Sequence, residues 1–150
     1  MADILIIEAR FYADIADELR KGAEAVLSEA EVTADVATVP GVLEIPAALR
    51  FAVKGQDVLS PCVYQGFITL GCVIRGKTSH HEHVARECMR GLTHFVIHDS
   101  IALGNGVLTC ENREQAWDRA RVDGGNKGGI AARAVLDMLA LRRRLNERSK

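Results

Sequence analysis

The sequence predicts an α/β chain, with a parallel sheet of about four strands covered by helices on both faces. Three observations carry that prediction. Short branched apolar runs alternate with segments of helical period. The strand-like runs are apolar throughout rather than at every second residue, as in strands buried on both faces. Polar and glycine-rich segments follow these runs, where ligands bind in such sheets.

Ile4-Leu5-Ile6-Ile7 reads as the first strand. Asp14 to Glu29 reads as a helix, with Ile15, Leu19, Ala23, Val26 and Ala30 recurring every three or four residues. Thr33 to Val39 returns to strand character and is stopped by Pro40-Gly41. Ile45 to Val53 is a second helix, with Pro46 tolerated in its first turn. Gly66 to Val73 is the next buried strand, followed by the polar loop Arg75 to Ser79. His81 to His98 reads as a helix with Val84, Cys88, Leu92, Phe95 and Val96 on one side. Thr78 or Ser79 is its expected N-cap, and Glu82 stands three residues past Ser79, as a capping box requires. Ile101 to Thr109 is a strand whose Gly104-Asn105-Gly106 points to a bulge or a close approach to a ligand. Glu114 to Arg121 is a short helix, separated by Gly124-Gly125 from a last helix over Lys127 to Leu145. Its expected apolar stripe is Ile130, Ala134, Met138, Leu141 and Leu145. Arg142-Arg143-Arg144 suits a solvated helix end at the negative pole of the dipole.

Composition narrows the function. The 150 residues suit one domain spanning 1–150, and 48% hydrophobic residues argue against disorder. A net charge of −1 gives no positive field for a nucleic-acid backbone. No apolar run is long enough to span a membrane. The N-terminal Met1-Ala2-Asp3 enters an apolar run with no basic leader, which reads against a secretory signal and for a cytoplasmic protein. Cys62, Cys72, Cys88 and Cys110 form no C-x-x-C pair and read as reduced thiols.

The chemistry-bearing residues sit after the strands. Arg75-Gly76-Lys77-Thr78-Ser79-His80 leads into a helix, whose free N–H groups and positive end make an anion site, phosphate above all. A plain capped turn is the competing reading. His80 at that helix start suits a general base beside a bound anion. His81 and His83 crowd it, yet no cysteine or carboxylate cluster completes a metal pattern, so no metal is expected. His94 and His98 read as ordinary helix residues. Glu44, between apolar neighbours at a strand-to-helix turn, could accept from polyol hydroxyls or simply favour the helix start. Arg119 and Lys127 flank the glycine break and either hold an anion or are surface charge. Phe11 either stacks on a flat ring or packs in the core.

Taken together, Arg10-Phe11, Pro40 to Pro46, Gly71 to His80, Gly106 to Thr109 and Gly125 to Gly128 resemble the 6,7-dimethyl-8-ribityllumazine synthase family of riboflavin biosynthesis, in order and spacing over nearly the whole chain. The resemblance implies a flavodoxin-like three-layer sandwich with a four-stranded parallel sheet. It implies a transferase that condenses 5-amino-6-(D-ribitylamino)uracil with 3,4-dihydroxy-2-butanone 4-phosphate through imine formation, phosphate elimination and ring closure, without cofactor. It also implies sites between neighbours of a homopentamer, with a decamer or a 60-subunit shell as larger assemblies and riboflavin synthase as a partner. Matched by position, His80 is the proton-transfer residue. Phe11 stacks on the pyrimidine. Val42, Leu43 and Glu44 hold the ribityl chain, and Cys72, Val73 and Ile74 hold the pyrimidine edge. Lys77, Thr78 and, across the interface, Arg119 hold the phosphate. Lys127 lies near the ribityl and ring end. Leu43 and Asn105 each stand where many members have Phe, so ring stacking is expected to rest mainly on Phe11. The short N-terminus modestly favours a free pentamer. A non-catalytic flavin- or lumazine-binding paralogue and a Schiff-base enzyme using Lys127 or Lys77 are the competing functions.

Overall fold

A computed structural model describes residues 2–54 and 62–149. The strands are β1 (Ile4–Ala9), β2 (Ala34–Val39), β3 (Gly66–Ile74) and β4 (Ala102–Cys110). The helices are α1 (Ala13–Glu29), α2 (Ile45–Lys54), α3 (His80–His98), α4 (Arg113–Ala120) and α5 (Lys127–Arg148), with a 3-10 turn at Val42–Glu44 ahead of α2. All strand pairs are parallel, in the order β2-β1-β3-β4. That is the doubly wound order of a flavodoxin-like fold, with its reversal between β1 and β3.

The alternating faces of β1 and β3 feed two cores. Ile4, Ile6, Ile68 and Leu70 pack with Ile15, Leu19, Ala116, Ala131 and Val135 of α1, α4 and α5. Leu5, Ile7 and Phe67 pack with Ile45, Leu49, Cys88, Leu92 and Phe95 of α2 and α3. Every residue of β1 is buried, as expected of a central parallel strand.

Four expectations need correction. The first strand runs on past Ile7 because Glu8 lies inside, 1% exposed, where Arg10, Arg20 and the Thr38 hydroxyl meet its carboxylate. β4 has no bulge, since its register with β3 is unbroken from Gly66↔Ala102 to Ile74↔Cys110. Gly104 instead admits the backbone of α5: a Cβ there would stand 1.9 Å from the Ala131 carbonyl oxygen. The expected stripe of α5 is not its buried face. Ile130, Met138 and Leu145 are about half exposed, whereas Gly128, Gly129, Ala131, Ala132 and Val135 are buried. Small residues face inward because α5 lies so close to α1 that a Cβ at Gly128 would sit 1.8 Å from the Leu19 carbonyl oxygen. Lastly, Arg142 is no freely solvated charge, because its guanidinium donates to the carbonyls of Gln65 (2.8 Å) and Ser100 (3.1 Å).

Smaller departures are local. Val96 is exposed on α3, while Cys88, Leu92 and Phe95 are buried. The capping box is absent: Ser79 occupies the N-cap position without a side-chain hydrogen bond, and the Thr78 hydroxyl accepts from the His80 N–H at 3.3 Å. Among the described residues no helix is long and apolar enough to cross a membrane.

Candidate active site

Beyond the carboxyl ends of β1, β2 and β3 lies a cavity of about 420 Å³, at the reversal of strand order. Both its volume and its place fit a small-molecule site in such a sheet. The turn after β1 supplies Phe11 and Tyr12. The turn after β2 supplies Gly41, Val42, Leu43 and Glu44. The end of β3 and the start of α3 supply Cys72, Val73, Ile74, Gly76, Thr78, His80, His81 and Val84.

Each group is placed by local structure. Glu44 ends the 3-10 turn, whose backbone is closed by the Glu44 N–H donating to the Gly41 carbonyl at 3.2 Å. Arg75 ties the loop after β3 to the next strand. Its N–H donates to the Cys110 carbonyl at 2.9 Å, and its guanidinium lies 3.2 Å from Glu111. His80 then opens α3, exposed beside the cavity. Phe11 stands 77% exposed at the rim, edge-on to Tyr12 with ring centres 5.0 Å apart. An aromatic ring so exposed serves no core, so the packing alternative for Phe11 falls away.

The wall chemistry is specific. Burial, then the neighbouring Cys110, pushes the Cys72 thiol up to about 12. It is therefore a neutral wall group and a poor nucleophile. His81 is 7% exposed, and its Nδ1 has no hydrogen-bond partner among the described residues. Sequence reasoning treated His81 only as a neighbour of His80, and it did not name Tyr12 or Val84 as lining. Tyr12 belongs to the turn that leaves β1, which was the available signal, whereas Val84 lies one turn into α3.

Other predicted site residues stand elsewhere. Lys77 falls between two lining residues and is exposed, but does not line the cavity. Asn105 lies on β4 outside this chain's own cavity. There its carbonyl oxygen accepts from the Thr69 hydroxyl (3.0 Å) and the Val107 N–H (3.1 Å), and its amide donates to the Met89 sulfur (2.9 Å). The parallel register sets Asn105 beside Thr69, which gives its amide partners within the sheet. Arg119 is exposed on α4, and Lys127 is the first residue of α5. Neither lines this chain's cavity. His94 and His98 stack on each other at 4.2 Å and do not line it either. Among the described residues no group of three or more His, Cys, Asp or Glu side chains is placed to hold a metal ion.

The family model described as 6,7-dimethyl-8-ribityllumazine synthase matches residues 1–143. The chain belongs to this family. It is 54% identical over 142 residues to 6,7-dimethyl-8-ribityllumazine synthase 1 of Rhizobium meliloti, covering 95% of this chain and 92% of the relative. It is 52% identical over 144 residues to the synthase of Bartonella tribocorum, covering 96% and 92%. Against 6,7-dimethyl-8-ribityllumazine synthase 1 of Mesorhizobium japonicum it is 51% identical over 148 residues, covering 99% and 90%. All of these relatives are named as synthases. None is named as a storage or binding protein, so the non-catalytic alternative gains no support from them.

Proposed function

We propose that this chain carries out its family's reaction in the cavity at the β1–β3 reversal. That reaction is the condensation of 5-amino-6-(D-ribitylamino)uracil with 3,4-dihydroxy-2-butanone 4-phosphate to give 6,7-dimethyl-8-ribityllumazine, phosphate and water. The observation that carries the reading is one cavity lined by Phe11, Val42, Leu43, Glu44, Cys72, Val73, Ile74, Thr78 and His80. Phe11 offers a face for the flat pyrimidine. Glu44 accepts from ribityl hydroxyls, and the strand end at Cys72–Ile74 meets the ring edge. The start of α3 supplies free N–H groups and a positive pole for phosphate, with Thr78 and Lys77 beside it. His80 moves protons as the imine forms, phosphate departs and the ring closes.

Most of the rate comes from alignment, which can supply several kcal/mol, with about 10²–10⁴-fold from proton transfer. His80→Ala is therefore expected to slow turnover by about 10²-fold and leave residual activity. Unchanged single-turnover rates would overturn its role.

Arg119, Lys127 and Asn105 lie outside this chain's own cavity, which supports a site completed by a neighbouring copy. We assign the neighbour's Arg119 to the phosphate and its Lys127 and Asn105 to the ring and ribityl end. The assembly is a homopentamer in a cytoplasmic setting, with riboflavin synthase as the enzyme that takes the product. Arg119→Ala should chiefly raise KM for the phosphate substrate. Co-expressed His80→Ala and Arg119→Ala chains should recover activity, because some shared sites would hold both native residues. No recovery in mixed oligomers would overturn the shared site, and light scattering would check the pentamer.

A further inference from the structure

Glu8 is a buried carboxylate that the reaction does not use. It lies two residues before Arg10 on the strand that delivers Phe11 to the cavity rim. Its Oε2 accepts from Arg10 at 3.2 Å, and its Oε1 accepts from Thr38 at 3.2 Å and from Arg20 at 3.4 Å. A carboxylate this deep needs such partners, and Glu8 is thereby fixed to β2 and α1 as well as to its own strand. Arg10 carries the constraint outward. The same guanidinium reaches the Asp17 carboxylate and the Ala13 carbonyl, both in α1. One fork of donors thus ties the end of β1 to the first turns of α1, across the residues that include Phe11. A second brace comes from α4, where Arg113 pairs with Asp14 and stands 6.0 Å from the Tyr12 ring centre.

Phe11 itself has little to hold it. It is 77% exposed, and Tyr12 is its aromatic contact. An unsupported side chain on a mobile turn would lose rotamer and backbone freedom on binding a ring, at the expense of affinity.

We infer that Glu8, Arg10 and Asp17 are positioning residues that hold the β1–α1 turn so that Phe11 is preset as the stacking face for the heterocycle. This inference rests on the proposed role of Phe11 in ring binding. Stacking contributes about 0.5–1.5 kcal/mol beyond area burial, so misplacing the ring should weaken binding by about two- to tenfold.

The test compares Phe11→Ala, Arg10→Met, Arg10→Lys and the Phe11→Ala/Arg10→Met double variant. It measures the Kd of 6,7-dimethyl-8-ribityllumazine by calorimetry and the KM of each substrate. Arg10→Met should weaken product binding and raise KM for the pyrimidine by about fivefold, with the phosphate substrate's KM and kcat within about twofold. Arg10→Lys should restore part of the loss. In the Phe11→Ala background, Arg10→Met should add nothing, because it acts through the missing ring. If Phe11→Ala weakens binding and Arg10→Met does not, or if their effects add, the positioning role is overturned while stacking stands. If Phe11→Ala leaves product affinity unchanged, stacking by Phe11 fails and the inference falls with it. Should Arg10→Met not fold, Asp17→Asn on the exposed side of α1 carries the same test, with about a twofold loss expected.

Discussion

On the side of the sheet covered by α1, α4 and α5, backbone meets backbone. Along α5, Gly104 lies against Ala131 and Gly128 against Leu19, with Ala132 buried beside them, while the rest of this core is filled by large side chains such as Ile4, Ile6, Ile15, Leu27, Ile68 and Leu70. On the side covered by α2 and α3, packing runs through large side chains: Phe67, Phe95, Leu49 and Leu92. The 3-10 turn ahead of α2 and the first turn of α3 on this second side also line the cavity. The difference is one of tolerance. Small residues in close contact leave nowhere for an added atom to go, whereas long side chains can leave a hollow at their margin and adjust to an occupant.

The most damaging single change should be Gly128→Ala. Its new methyl group would meet a backbone oxygen 1.8 Å away, which no rotamer can relieve. A loss of at least about 3 kcal/mol is expected from urea titration at fixed protein concentration. Gly76→Ala is its control, because nothing lies within 4 Å of the added Cβ, and stability should change by no more than about 0.5 kcal/mol. Equal losses in the two variants would break the comparison. Leu49→Ala, on the other side, removes a fully buried side chain and should cost about 2–5 kcal/mol by the same titration.

The buried thiols sharpen the contrast through pH. Burial pushes Cys72 up to about 12 and Cys88 up to about 11, from an ordinary value of 9.0. Below the ordinary value both thiols are protonated in the folded and the unfolded chain, so they add no pH dependence. Above it the unfolded chain ionises first, and stability falls with rising pH until the folded values are reached. Urea midpoints should therefore decline on the alkaline side, and less steeply in Cys88→Ala. The smallest effect is chemical. Only Cys62 is exposed, so a thiol reagent at neutral pH should label one cysteine quickly and leave Cys72, Cys88 and Cys110 until unfolding. Rapid labelling of a second cysteine would show that the cavity wall opens.

This contrast also explains what could be read from the sequence. β1, β3, α1 and α3 were legible because Ile4 to Ile7, Gly66 to Val73 and the stripes through Leu19 and Leu92 bury large apolar groups, which leave a clear period. α5 misled because its buried face is glycine and alanine. Its large residues, Ile130, Met138 and Leu145, fell on the other side. Periodicity tells which residues share a face, not which face a backbone at close quarters will demand. Glu8 misled in the same way, as a charge inside a strand that only its distant partners Arg20 and Thr38 make tolerable. Within the site, the segments that follow β1, β2 and β3 were legible because ligands of parallel sheets bind beyond the carboxyl ends of the strands. Asn105, Arg119 and Lys127 were matched through the family resemblance, and one chain's cavity does not gather them.

The place of β1 in the middle of the sheet has a consequence for synthesis. The ribosome releases this strand before either neighbour, so its two flanks are closed only later, by Ala34–Val39 on one side and by Gly66–Ile74 on the other. Until the second of these emerges, a strand that opens with four consecutive branched apolar residues has a bare edge, able to pair with another nascent chain. Native pairing is distant in sequence, so folding should be slow for a chain of this size and most vulnerable to aggregation during translation.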